Sequence, residues 1–493
     1  MRATRNAARG LPCVLVLVAG LCVVASAAAQ EPAVADAAKR QDWAVVQELL
    51  RGGADVNLSQ GDGATALHWA VYWDERDAVQ LLLSSGAAID AANDLGVTPL
   101  WLAANNGSAH MVEALLAAGA GANAALPSGE TPLMTASRAG NKAAVRALLA
   151  RGADPHAREG AHGQTALMWA VAQRHPGIVR ALLAGGARVD DRSHSYPQVV
   201  SSSGNADPKG VFEVRQGGYT PLLFAARQGD LASARLLVEA GADVNEAPAS
   251  GTTPLVVAAH SGHGALAAWL LEAGADPDAA GAGYSALHAA VLRGDRALVR
   301  ALLDHAANPD AVMTRGSPAR RVSADWRLPH RMIGATPLWT AAWFREPQLV
   351  QLLADHGADP RATVGGETAV MAAIRGRFSR GRFGVVRPPA EVEAGNAAEA
   401  AAVAIDAGAD VSGRNGTGDT ALHMAVAQRL NGVITVLAER GAEIDARNRD
   451  GKTPLDLALA NADGAADEAG DSTVTLLRSL GAADPGGTPA AAR

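Results

Sequence analysis

Residues 220–245, TPLLFAARQGDLASARLLVEAGADVN, read as two short antiparallel helices and a turn. Thr220 can cap the first helix, and Pro221 fits its first position, where a missing N–H costs nothing. Leu222, Leu223, Ala225 and Ala226 supply an apolar face, and the alanines admit a close neighbour. Gln228-Gly229-Asp230 breaks this helix and can start the next, in which Leu231, Ala234, Leu236 and Leu237 recur at helical spacing. Gly241 ends it, because glycine tolerates the left-handed conformation of a helix stop. Two helices this short cannot bury their apolar faces alone, so neighbouring copies must stack.

Copies are present along most of the chain. Thr98-Pro99-Leu100, Thr131-Pro132-Leu133, Thr253-Pro254-Leu255, Thr336-Pro337-Leu338 and Thr453-Pro454-Leu455 restate the opening, and looser copies start at Thr65, Thr165, Ser285, Thr368 and Thr420. Successive starts lie 33, 33, 34, 55, 33, 32, 51, 32, 52 and 33 residues apart. A period of about 33 with a T-P-L-H-x-A opening and a G-A-D-x-N close resembles the ankyrin repeat. The resemblance spans roughly residues 34–484. It implies an all-α solenoid of about eleven helix-turn-helix units with short hairpin loops, capped by an N-terminal half-unit at 30–61 in which the opening helix is weak. Repeats 1–4 occupy 62–190, repeats 5–7 occupy 217–310 and repeats 8–11 occupy 335–484. The closing glycine recurs in every unit but one, where Ala306 stands in its place and a weaker helix stop is expected.

Three spacings exceed 50 residues, so three units carry insertions. The first, 191–216, is rich in Ser, Gly and Pro. The second, 311–334, carries Arg315, Arg320, Arg321, Arg327 and Arg331 around Trp326. Both fall between units and should leave from the hairpin edge. The third, 376–396, carries Arg377, Arg380, Arg382 and Arg387 with Phe378 and Phe383, and interrupts one unit between its helices. The tail, 485–493, reads as disordered.

Residues 1–29 have the pattern of a secretory signal peptide: Arg2, Arg5 and Arg9, an apolar run over 11–25, then Ala27-Ala28-Ala29. The apolar run is shorter than the ~20 residues needed to span a bilayer. Lipidation at Cys22 is the rival, although Leu21 before it is bulky. Both cysteines, Cys13 and Cys22, lie in this segment, so the mature chain would carry no thiol. These features point to an exported bacterial protein, periplasmic or extracellular, with no membrane span after cleavage. Removing the segment takes away three arginines and no acid, moving the formal charge from −7 to −10. An acidic body argues against non-specific nucleic-acid binding.

Candidate chemistry is sparse. His68, His288 and His423 occupy the fourth position of the T-P-L-H opening, where the family's histidine bonds within the turn. They sit in units one, seven and ten, too far apart to share a metal ion. Gly451-Lys452-Thr453 lacks the upstream glycine of a phosphate loop, since residue 446 is alanine. No H-E-x-x-H, G-x-S-x-G or G-x-G-x-x-G motif stands in a helpful context. No catalytic residue, metal or cofactor is therefore assigned. An enzyme would need a base and nucleophile paired within the insertions.

The resemblance implies a protein-binding module without catalysis, with contacts at the hairpin tips and at the two residues ending each first helix; a monomer is expected. Those pairs are Tyr72-Trp73, Asn105-Asn106, Arg138-Ala139, Ala172-Gln173, Arg227-Gln228, His260-Ser261, Leu292-Arg293 and Trp343-Phe344. Tyr, Trp and Arg are the types that anchor interfaces. Tyr72/Trp73 and Trp343/Phe344 are expected as exposed anchors, the alternative being that Trp73 and Trp343 pack on neighbouring hairpins or insertions. Trp69, Trp101, Trp169 and Trp339, inside first helices, are expected to pack. The arginine-rich insertions suggest fingers for an anionic partner. A second class of function is binding of envelope polysaccharide through aromatics and arginines.

Overall fold

The protein is seen in a computed structural model that describes residues 31–201, 211–317, 328–376, 389–463 and 468–484. Its contacts divide into two compact units, Met1–Ala88 and Ile89–Arg493.

The first unit holds two helix pairs: α1 (Ala33–Lys39) with α2 (Trp43–Arg51), and α3 (Ala66–Tyr72) with α4 (Arg76–Ser84). The opening pair is complete, not the half-unit expected. The weakly apolar AVADAAK still forms a helix because Val34, Ala35, Ala37 and Ala38 are buried as α1 packs on α3.

The second unit holds ten pairs. In chain order they are α5 (Pro99–Asn105) and α6 (Ala109–Ala117), α7 (Pro132–Ala139) and α8 (Lys142–Ala150), α9 (Ala166–Ala172) and α10 (Pro176–Ala184), α11 (Pro221–Gln228) and α12 (Leu231–Glu239), α13 (Pro254–Ser261) and α14 (Gly264–Glu272). Then follow α15 (Ala286–Arg293) and α16 (Arg296–Asp304), α17 (Pro337–Trp343) and α18 (Pro347–Asp355), α19 (Ala369–Arg375) and α20 (Ala390–Asp406), α21 (Ala421–Ala427) and α22 (Asn431–Glu439), α23 (Pro454–Asp463) and α24 (Glu468–Ser479). Each first helix from α5 to α21 packs on the next first helix, and second helices pack likewise along much of the run. Most of these helices have seven to nine residues, below the ~12–15 at which an isolated helix becomes even marginally stable. Their stability comes from the shared apolar seam, in which Leu100, Leu133, Leu167, Leu255, Leu287 and Leu422 are fully buried.

Local chemistry sets the frame. Thr98, Thr131, Thr165, Thr253, Thr336 and Thr368 each accept a hydrogen bond from the backbone N–H three residues on. Thr220 holds the same extended backbone but makes no side-chain cap bond, contrary to expectation. Asparagine or aspartate ending several units bridges to the next. Asn123 donates to the carbonyl of Gly152 at 2.9 Å and accepts from the N–H of Asp154 at 2.8 Å, and Asn245 does the same with Gly274 and Asp276 at 3.1 and 2.7 Å. Ala306 takes the glycine's left-handed conformation, φ 61°, and Ala307 N–H still bonds the Leu302 carbonyl at 2.9 Å. The helix stop expected to weaken there keeps the geometry of its neighbours.

The insertions depart from the α-only pattern. The first forms an antiparallel hairpin, β1 (Ser195–Ser201) with β2 (Val211–Gly217), in register from Ser195↔Gly217 to Ser201↔Val211. Arg192 ties its base by donating to the carbonyls of Gly218 and Ala247 at 3.2 and 3.4 Å and by pairing with Glu246. Gly217 is required there, since it has φ 80° and an added Cβ would lie 1.9 Å from the His194 carbonyl oxygen. The second insertion begins and ends as a paired stem, with Met313 N–H bonded to the Ala335 carbonyl at 3.0 Å and Ser317 N–H to the Leu328 carbonyl at 3.0 Å. Arg315, in that stem, lies 5.5 Å from the Phe212 ring and donates to the carbonyls of Gly281 and Ala282 at 3.1 Å each. The third insertion leaves between α19 and α20 as expected, but residues 390–396 extend α20 to 17 residues rather than forming loop.

Candidate protein-docking surface

In the unit Met1–Ala88, the end of α3 presents an aromatic cluster. Tyr72 meets Trp69 edge-on at 5.7 Å and Trp73 at 4.8 Å. Trp69 Nε1 donates to Gln60 at 2.9 Å, and the Lys39 ammonium sits 4.9 Å over the Trp69 ring. Trp69 is half-buried, whereas Tyr72 and Trp73 remain 49% and 37% exposed. The exposure expected of this pair is present.

In the unit Ile89–Arg493, the first-helix ends of repeats 2–7 form a polar file. Asn105 and Asn106 are exposed. Arg138 lies 3.4 Å from both the Asn105 Oδ1 and the Glu130 carboxylate, and its guanidinium rests 5.1 Å over the half-buried Trp169 ring. Arg227 is exposed, and Gln228, His260 and Arg293 are partly exposed. Residues just beyond these pairs, which sequence reasoning passed over, join the file. Arg174, in left-handed backbone with φ 59°, donates to the Gln228 carbonyl. His175 bonds the Arg138 carbonyl at 3.3 Å, His263 the Arg227 carbonyl at 3.1 Å, and Arg293 the His260 carbonyl at 2.8 Å. Each bond caps a helix C-terminus in a neighbouring repeat, where a cation also faces the favourable end of the helix dipole. A second-helix start with Arg or His was the sequence signal available for them.

Three expected contact residues are not exposed. Leu292, Trp343 and Phe344 are only 2%, 5% and 3% exposed. Trp343 stacks on the buried Trp339 at 5.4 Å with an 18° interplanar angle, and the Arg331 guanidinium lies 5.0 Å over its ring from a 3-10 turn, His330–Met332. The chain leaving α19 runs close against the Trp343 backbone, for a Cβ on Gly376 would fall 2.0 Å from the Trp343 carbonyl oxygen. The packing alternative therefore holds for Trp343. Arg320, Arg321, Trp326, Arg377, Phe378, Arg380, Arg382 and Phe383, like residues 1–29, lie outside the described residues.

The three conspicuous histidines are frame residues. Nδ1 of His68, His288 and His423 accepts the N–H of Thr65, Ser285 and Thr420 at 3.1, 3.3 and 3.2 Å. That leaves the proton on Nε2, which His288 donates to the Ala335 carbonyl at 3.1 Å and His423 to the Lys452 carbonyl at 3.0 Å. Burial pushes the His288 imidazole down to about 4. At a hairpin, burial tends to raise the Glu159 carboxyl, but the backbone N–H groups of Gln164, His162 and Ala161 outweigh it and hold the group below the usual range.

A family model described as "Ankyrin repeats (3 copies)" matches residues 34–125, 100–193, 205–281, 224–313 and 278–364, and one described as "Ankyrin repeats (many copies)" matches 404–458. The chain belongs to the ankyrin-repeat family. No curated protein matches it. Ankyrin membership implies a protein–protein interaction scaffold in a family that is generally non-catalytic. Among the described residues no helix is long and apolar enough to cross a membrane.

Proposed function

We propose that this ankyrin-repeat protein is a non-catalytic docking scaffold of the bacterial cell envelope, exported through its N-terminal segment and acting as a monomer. It binds a partner protein through the ends of its first helices. The observation that carries this reading is the exposed, mutually edge-on pair Tyr72 and Trp73. Large rings left in water are costly unless something covers them, and Tyr and Trp supply rigid contact area at small entropic cost. The same helix-end position varies in chemistry from repeat to repeat, while the Thr caps and leucine seam around it repeat.

A photo-crosslinking residue placed at Trp73, with the same group at exposed Arg146 on α8 as control, tests the reading in intact cells. A discrete crosslinked protein from position 73 and none from 146 is expected. Equal or absent crosslinking at both would reject it. Cell fractionation tests the envelope assignment, which fails if the full-length chain stays cytosolic. The second reading, polysaccharide binding, rests on the same exposed rings, which can stack on sugars. Retention on purified peptidoglycan that is lost in Tyr72→Ala/Trp73→Ala would favour it.

A further inference from the structure

The connections between the paired helices of repeats 3–7 are basic in an otherwise acidic chain. Residues 138–142, 172–176, 227–231, 260–264 and 292–296 contain Arg138, Lys142, Arg174, Arg227, Arg293 and Arg296, plus three histidines, against two acids, in a chain of net charge −7. Both acids also have a structural task. Asp230 and Asp295 are helix caps that accept from the N–H of Ser233 and Leu298 at 3.1 and 3.0 Å. Among the described residues no ion pair joins Arg174 or Arg227 to a carboxylate, whereas Arg138 has Glu130 at 3.4 Å.

The five connections are also physically continuous. Cross-repeat bonds run His175 to Arg138, Arg174 to Gln228, His263 to Arg227 and Arg293 to His260. Two of these bonds hold the Arg174 and Arg293 guanidiniums against backbone carbonyls of adjoining repeats, so both cations sit within the strip. Arg174 and Arg293 come near enough to His263 that both add to the depression of its pKa that burial begins. Like charges held together at a surface store repulsion that an anionic ligand relieves.

We propose that this strip, from Arg138 to Arg296, receives an extended acidic segment of the partner protein. The proposal rests on the scaffold reading and names the chemistry of its partner. Neighbouring helices pack about 8–10 Å apart, so five repeats offer about 40 Å, which an extended chain covers with about 12 residues. Protein is favoured over nucleic acid because the chain as a whole is acidic and would repel a long polyanion beyond the strip.

The test uses the full chain and a fluorescein-labelled twelve-residue peptide of alternating Glu and Gly, read by anisotropy. Arg227→Glu/Lys142→Glu reverses two exposed cations that cap nothing, and Arg146→Glu/Arg180→Glu is the control on exposed second-helix positions. Matching thermal melts establish that each variant is folded. Reversal of two exposed charges replaces attraction by repulsion, so the strip variant should bind about tenfold more weakly. The control should change affinity less than twofold.

No binding by wild type, equal weakening in both variants, or tighter binding of a twelve-nucleotide dT strand than of the peptide would overturn the proposal. If a crosslink from position 73 persists under such a result, the scaffold reading stands and only the acidic-segment inference falls. Loss of both would remove the two together.

Discussion

Nη2 of Arg345 donates to the carbonyl of Ile374 at 2.9 Å. Its Nε donates to Ala373 at 3.0 Å, and the buried guanidinium lies 3.9 Å from the Glu393 carboxylate. One side chain, set in left-handed backbone at φ 55°, thus caps α19 and anchors α20 on either side of the third insertion. Arg345→Ala should cost about 3–5 kcal/mol, because it removes the cation of a buried ion pair and uncaps a helix. Arg345→Lys should recover less than half, since an ammonium lacks the planar fork. Urea unfolding checks both, and an Ala variant within 1 kcal/mol of wild type would contradict the assignment.

Ala306 occupies a conformation that its neighbours fill with glycine. Ala306→Gly should raise stability by up to about 1 kcal/mol, the steric cost of left-handed alanine exceeding the entropy lost to glycine. A small rise in Tm is the expected reading, and a fall would show the site to be unstrained.

His288 predicts an acid-labile repeat. Its folded pKa of about 4 lies below the ordinary 6.5. Between these values the unfolded chain binds a proton that the folded chain refuses. Stability from this site is therefore complete above pH 6.5 and falls as the pH drops towards 4, by about 3 kcal/mol in all. His288→Asn keeps an acceptor for the Ser285 N–H but does not titrate. Its unfolding free energy should decline less between pH 7 and 4.5 than that of wild type, and identical declines would refute the role.

Trp343 and Trp73 should separate cleanly under mutation. Trp343→Ala empties a packed site and should destabilise by about 3–5 kcal/mol. Trp73→Ala, at an exposed helix end, should cost under about 1 kcal/mol while weakening partner capture. Denaturant melts with crosslinking yields distinguish the two, and matching losses of stability would undo the contrast.

That contrast marks where sequence reading ran out. Tyr72-Trp73 and Trp343-Phe344 are aromatic pairs at equivalent repeat positions, seven and eight residues after Thr65 and Thr336, so nothing local tells an open pair from a covered one. The difference comes from Arg331, twelve residues upstream, and from Gly376, thirty-three residues downstream. The hairpin of the first insertion was similarly hidden, since its alternation of Phe212, Val214 and Gln216 is short and lies among turn-forming residues. Arg174 and His263 escaped because their value lies in which carbonyl they reach, not in their own residue type.

The amino-acid order alone determined the repeat, its period, its capping threonines and histidines, and the places where insertions leave. These are contacts within about 33 residues, written in side chains that act on their own turn. Only the tertiary structure decided which helix ends stay open to solvent and which cations line up across repeats. Exposure depends on what packs over a residue from other repeats and insertions, and a repeat motif carries no record of those neighbours.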